Sequence, residues 1–362
     1  MREVIWDKPK EVPEWVIENV DENVLAKLPP GTRIEGIYPH GTSYWTRTAA
    51  IKTSQADNRK QTFFLKVSHH ESGKDMMSSE FVSMTLIRNT VPDIAPLPIA
   101  WGTYAIDSDI HFYLCSFHDM TDDIPEIQPL AAKVAELHGK GLSPNGKYGF
   151  SVPTYQSKCP EQAADGSSSI LLDDPWPQPV EWKSSWEEFF LISLKWILEK
   201  EEESQGYDAQ LSSLKQALFE KVVPRLLRPL ETGGNRIEPR LVHGDLWDGN
   251  CSTDIATNMP IIFDATSTYA HNEYELAPWR PPRHNIGKHY IEAYTRYFPP
   301  SAPQSDFDDR LTLYCIRFDS LSSALYPGNL RFRNIIMVNM RLLVEKFPNG
   351  YEGTHMRKRS EG

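Results

Sequence analysis

No stretch of this 362-residue chain is apolar for long enough to cross a bilayer. The longest run, Phe189–Leu198, contains Lys195 and falls well short of the roughly 20 residues a spanning helix needs. The first residues, Met1–Trp15, are charged and punctuated by proline, so an apolar leader core is not expected there. Basic charge is also in short supply. With 38 Lys and Arg against 49 Asp and Glu, the net charge is −11, which argues against nucleic acid or an anionic membrane as partner. Cysteine is sparse: Cys115, Cys159, Cys251 and Cys315 lie far apart with no CxxC pair, the usage of reduced thiols rather than a disulfide framework or a zinc site. There is no internal repeat and no coiled-coil heptad. The expectation is a cytoplasmic protein.

What is present is ordinary globular material, 40% hydrophobic and 24% charged, enough for a sizeable core in one large or two medium domains. A helix is expected over 13–28, ended by Pro29-Pro30-Gly31, followed by strands at 33–38, 44–52 and 61–68. A helix over 74–89 follows, then a strand pair at 99–104 and 111–117. Beyond residue 117 the chain reads as mostly helical: 128–138, 186–203, 208–223 ended by Pro224, 290–298, 309–325 and 333–347. Residues 151–181 are rich in Pro, Ser and Asp without periodicity, a length of loop that is uncommon inside a domain. The reading is an α+β chain in two lobes. Residues 1–117 form a small antiparallel-sheet lobe with one main helix, and residues 118–362 form a larger helical lobe.

Chemistry concentrates in Leu241–Asn250 and the strand-like Ile261-Ile-Phe-Asp264. Asp245 and Asn250 are five positions apart and Asp264 follows fourteen later, the order in which kinases place a catalytic Asp, a metal-holding Asn and a metal-holding Asp. A carboxylate at Asp245 suits a base that aims a hydroxyl at a phosphoryl group. Asn250 and Asp264 supply the hard oxygens that Mg²⁺ prefers. Lys66 sits in an otherwise apolar strand, where an ammonium must be paired. Glu80 lies beside the apolar seam of the next helix and can supply that pairing. Gly41, Thr42 and Ser43 link two strands in a turn able to present N–H and hydroxyl groups to phosphate, although Gly41 is its sole glycine. Residues 116–123, with Ser116, Phe117 and His118 leading, form a connector whose backbone can read a base.

With these residues in view, His243-Gly-Asp-Leu-Trp247 and Asn250 resemble the fructosamine kinase (ketosamine-3-kinase) family, of the aminoglycoside-phosphotransferase branch of the protein-kinase-like fold. Pro39–Trp45, 96–104, Phe117–Asp123, Ser143–Phe150 and Tyr269–Leu276 extend the resemblance, notably to fungal protein-ribulosamine 3-kinase-like members, over residues 30–346. The resemblance implies transfer of phosphate from ATP, with Mg²⁺, to O3 of a ketosamine, free or protein-bound. Asp245 would be base, Asn250 and Asp264 metal ligands, Lys66 the phosphate holder and Glu80 its orienter. His243, Trp247, His271 and Glu273 would lie near the acceptor. The chain departs from better-known relatives in its glycine-poor phosphate loop and in Ala265-Thr266 after the metal Asp. The alternatives are a kinase of another small hydroxyl acceptor (a fungal metabolite, or an aminoglycoside- or choline-kinase-like substrate), a nucleotide-binding pseudokinase scaffold, or a carbohydrate-binding module built on its aromatic-rich helices.

Overall fold

A computed structural model describes residues 12–41, 43, 46–156 and 176–351. Strands β1 (Arg33–Pro39), β2 (Arg47–Ser54), β3 (Lys60–His69), β4 (Pro98–Thr103) and β5 (Ile110–Ser116) build one sheet in the order β1-β2-β3-β5-β4, antiparallel throughout. Side chains alternate across a strand, and here the alternation divides core from site. Phe63, Leu65 and Val67 of β3 pack with Ala49, Ile51, Phe112 and Leu114 under Val12, Val16, Val24 and Leu28 of the N-terminal segment. Each buried Val, Leu, Ile or Phe among them contributes about 1.5–3 kcal/mol. The opposite parity, Phe64 and Lys66, faces α2 (His70–Thr90), whose Met77, Met84 and Ile87 join Tyr113 and Cys115 in the larger core. Lys66 pairs in register with Thr48 on one side and Tyr113 on the other, so it is central in the sheet, and Glu80 of α2 is on its face.

The rest is mainly helical: α3 (Ile127–Lys140), α4 (Trp186–Gln205), α5 (Ala209–Ala217), α6 (Val223–Leu227), α7 (Lys288–Tyr297), α8 (Phe307–Leu325) and α9 (Arg331–Lys346). Helix α8 is buried along most of its length and packs on α4 and α9. Two short ribbons, β6 (Arg240–Val242) with β9 (Thr268–Ala270) and β7 (Cys251–Asp254) with β8 (Met259–Ile262), carry the chemical motifs. Among the described residues no helix is long and apolar enough to cross a membrane. Cys115, Cys251 and Cys315 are buried free thiols; Cys159 lies outside the described residues.

Three expectations need correction. The 13–28 helix is two pieces, a 3-10 turn at Glu14–Ile17 and a single α-helical turn, α1 (Glu22–Leu25). Asp21 restarts it, accepting from Asn23 N–H and also from Ala105 N–H and Ile106 N–H, so one carboxylate caps the turn and ties it to the loop after β4. Pro224 does not end the 208–223 helix. The chain widens into a π-turn at Leu218–Val222 and re-forms as α6 with Pro224 in its first turn, where a missing N–H breaks no bond. The main small-lobe helix starts at His70, directly off β3, through a left-handed residue (φ 63°). Most of the 151–181 segment, residues 157–175, lies outside the described residues.

Candidate active site

Two ends of the chain meet at Lys66. Its ammonium donates to Glu80 Oε2 at 2.7 Å and to Asp264 Oδ1 at 3.0 Å, joining sheet, α2 and the turn after β8. Burial alone would drive the proton off Lys66, but Asp264 and Glu80 reverse that and hold its pKa above the usual lysine range. Burial pushes the Glu80 carboxyl up, against the pull of Lys66. Burial pushes Asp264 the same way, yet Lys66 outweighs it and keeps Asp264 below the ordinary carboxylate value. Lys66 and Glu80 side chains are 9% and 11% exposed, whereas that of Asp264 is 47% exposed: the pair is closed on one side and open on the other. Asp264 also has a left-handed backbone, φ 59°, a conformation that costs a non-glycine residue about 1–3 kcal/mol.

Asp245 and Asn250 lie on the loop after β6. Asn250 Nδ2 donates to Asp245 Oδ2 at 3.0 Å and to its carbonyl at 2.8 Å, which leaves the amide oxygen available. The Asp245 carboxyl is pushed well up by burial, against the Asn250 bond and with Asp264 and Glu275 nearby as like charges. The loop is braced to the Asp264 turn at three points: Phe263 N–H to Asn250 O (3.0 Å), Thr266 N–H to His243 O (2.9 Å) and the His243 ring to Phe263 O (2.8 Å). Gly244 makes this approach possible. Its φ is +86°, and a Cβ there would stand 2.3 Å from Thr266 O.

The remaining predicted residues divide. Gly41 (φ 78°) and Ser43 sit at the β1–β2 turn, beside Thr48 and hence one strand from Lys66; Ser43 Oγ accepts from Thr46 N–H and hydroxyl. Thr42 lies outside the described residues. Ser116 and Phe117 N–H groups are taken by Leu97 O and Thr62 O. The His118 ring reaches Asp254 Oδ2 at 2.6 Å and the Ser116 hydroxyl at 3.2 Å, clamping the connector to β7. Burial works against the Asp254 charge, but the His118 and Thr257 bonds hold its carboxyl low. Trp247 is 37% exposed, lies over Gly249 and is 5.6 Å from the ring of His284, which in turn bonds Asp248 at 2.7 Å.

Three expected acceptor residues do not face the cleft. His243 is fully buried, and burial lowers its pKa so that the neutral ring braces the loop. His271 is buried between the hydroxyls of Tyr314 and Ser301. Glu273 forks Arg310 at 2.7 and 2.8 Å. His271 precedes, and Glu273 belongs to, a 3-10 segment, Asn272–Trp279, buried at every residue. Two braces had no signal in the local pattern: Glu275, accepting from the N–H groups of His243 and Gly244, and Gln156, donating to Gly244 O at 2.7 Å.

Comparison with known proteins bears on this geometry. The fructosamine kinase family model matches residues 44–168 and 173–329. The chain is 28% identical to a mouse ketosamine-3-kinase over 71% of this chain and 81% of that protein. It is 27% identical to a chloroplastic protein-ribulosamine 3-kinase of Oryza sativa subsp. japonica over 79% and 72%. Its fold is that of a putative fructosamine-3-kinase from Haemophilus somnus (TM-score 0.63, 17% identity, 86% and 92% covered) and of aminoglycoside phosphotransferase APH(4)-Ia (TM-score 0.54, 17% identity, 86% and 94% covered). The protein is therefore a kinase on the protein-kinase-like fold, and the chain belongs to the fructosamine kinase family.

Proposed function

We propose that this chain transfers the terminal phosphate of ATP to a sugar hydroxyl of a ketosamine, as a fructosamine or ribulosamine 3-kinase does. The carrying observation is the meeting of four side chains from distant segments. Lys66 bonds Asp264, Asn250 bonds Asp245, and the two turns are sewn together by main-chain bonds. In this reading residues 1–117 form the nucleotide lobe and residues 118–362 the catalytic and acceptor lobe.

Asp245 accepts the acceptor's proton. Its bond from Asn250 orients the carboxylate, and its raised pKa suits a base that must take a proton from an alcohol. Lys66 holds phosphate oxygens, with Glu80 fixing its direction. The turn carrying Gly41 and Ser43 covers the phosphates, and the connector at Ser116–His118 reads the base through the backbone groups left over once the Ser116 and Phe117 N–H groups are bonded. The donor set fits Mg²⁺: an amide oxygen left over at Asn250 and a half-exposed carboxylate at Asp264, both hard oxygens. When bound, the ion would neutralise phosphate charge. Catalysis of this kind is positioning plus charge stabilisation, which is what the braced loop provides. Trp247, exposed beside Asp248 and His284, is the acceptor-side wall.

The test is ADP release with Mg-ATP and fructosyl-lysine or ribulosyl-lysine. Asp245→Asn is expected to lose about 10²–10⁴-fold in kcat with melting temperature retained. Equal turnover by both proteins overturns the role of Asp245, and no turnover by wild type on any ketosamine overturns the substrate class.

A further inference from the structure

Among the described residues, one place outside the cleft gathers three metal-ligating side chains with their donor atoms all within 4.8 Å of one another: His69, His70 and Asp109. They come from three places in the chain: the last residue of β3, the first of α2 and the turn between β4 and β5. The main chain already holds these segments together. His69 pairs with Ile110 in the β3–β5 register, and His70 N–H donates to Asp109 O at 2.9 Å. His70, with its left-handed backbone (φ 63°), joins strand to helix without an intervening loop, and the two imidazole centroids are 3.9 Å apart. His70 Nδ1 is 2.7 Å from Asp109 Oδ2, and these two side chains are 51% and 52% exposed. His69 is buried, so the cluster has one fixed ligand and two that an ion reaches from solvent.

Two imidazole nitrogens and one carboxylate oxygen suit Zn²⁺ and its neighbours Co²⁺ and Ni²⁺, whereas Mg²⁺ and Ca²⁺ take shells of oxygen. Donors at bonding distance from a tetrahedral ion stand about 3.4 Å apart. Separations within 4.8 Å therefore close by little more than about 1 Å, a movement that rotation of the two exposed side chains supplies. A helix N-terminus disfavours a cation, and carboxylates offset that here. They are Asp109 itself, Asp107, which accepts from Asp109 N–H at 2.9 Å, and Glu71 in the first turn of α2, which also holds Lys74. We propose that His69, His70 and Asp109 bind one ion of the Zn²⁺ class, with water completing its shell, and that the ion fastens the β4–β5 turn to the start of α2. That helix carries Glu80, the partner of Lys66. Three strand residues separate Lys66 from His69, about 10 Å. Asn250 and Asp264 take no part, so the site stands or falls apart from the phosphotransfer reading.

The experiment titrates Zn²⁺ into the metal-stripped full chain in competition with a chromophoric chelator, with excess Mg²⁺ present to occupy Asn250 and Asp264. Wild type is expected to take up one equivalent with an affinity of about 1 μM or tighter. His70→Asn keeps a residue that accepts a left-handed backbone, and Asp109→Asn keeps the side-chain shape. Each is expected to weaken that equivalent at least about tenfold, with the metal-free melting temperature near wild type. Asp264→Ala is expected to bind Zn²⁺ as wild type does. No saturable equivalent in wild type overturns the proposal, as does undiminished affinity in either His70→Asn or Asp109→Asn. Loss of the equivalent in Asp264→Ala places the ion in the cleft and overturns it too. Should the cluster variants fail to fold, wild type is read with Co²⁺ instead. The visible absorption of a nitrogen-ligated ion upholds the site, and the spectrum of hydrated Co²⁺ overturns it.

Discussion

Two buried ion clusters of this protein use the same chemistry to opposite ends. In the helical half, both Glu273 carboxylate oxygens bond Arg310, and Ser301 N–H adds a third bond at 2.7 Å. The cluster is sealed, with 0% and 1% side-chain exposure. Between the halves, one ammonium, Lys66, serves two carboxylates, and the second of them, Asp264, is half open to the cleft. Buried pairs of the first kind hold geometry and are costly to break from one side. A cluster with surplus negative charge and an open face can take up a cation and release its lysine to another anion. The comparison separates structural from functional charge where residue type alone does not.

The largest effect expected is on the sealed cluster. Glu273→Gln leaves Arg310 buried without its counter-charge and should lower unfolding free energy by about 3–5 kcal/mol, read by urea denaturation. Little change there would mean that the cluster is not sealed. Lys66→Met should do the reverse: stability near wild type, and kcat/KM with ATP down by about 10²–10³-fold, comparable to losing one preorganised charge donor. A collapse of stability with intact activity in the folded fraction would equate the two clusters and dissolve the contrast. The smallest effect concerns His271, beside Glu273 and Arg310. Burial lowers its pKa from 6.5 to about 4. The unfolded chain therefore binds a proton there before the folded one does. The His271 contribution is fully present above about pH 6.5 and is lost as pH falls toward 4, about 2 kcal/mol between pH 7 and pH 5. His271→Gln should flatten that part of the stability–pH curve, and an unchanged slope would remove His271 as its source.

The sheet-rich half was legible because its side-chain parity is simple. Lys66 shares a face with Phe64, and Glu80 falls one turn from Met77 and Met84, so strand and helix periods alone bring the two together. Asp245, Asn250 and Asp264 were legible from spacing, since loop and strand lengths constrain where three nearby residues can go. The helical half was not so transparent. Nothing local in Asn272–Trp279 announces burial, because its polar side chains are satisfied from afar, Glu273 by Arg310 and Ser301 and Asn272 by the Tyr294 hydroxyl. Glu275 is invisible for the same reason, since it serves N–H groups about thirty residues earlier in the chain. A proline looks like a stop, but after a π-turn Pro224 starts the next helix.

The left-handed turn at Asp264 acts as a filter on what evolution can write at that position. Asparagine would sit there comfortably but carry no charge, and glutamate would keep the charge on a side chain less suited to that backbone. Glycine would relax the turn and remove the carboxylate altogether. Aspartate alone satisfies both demands, so the choice between the two acidic amino acids is made by main-chain torsion.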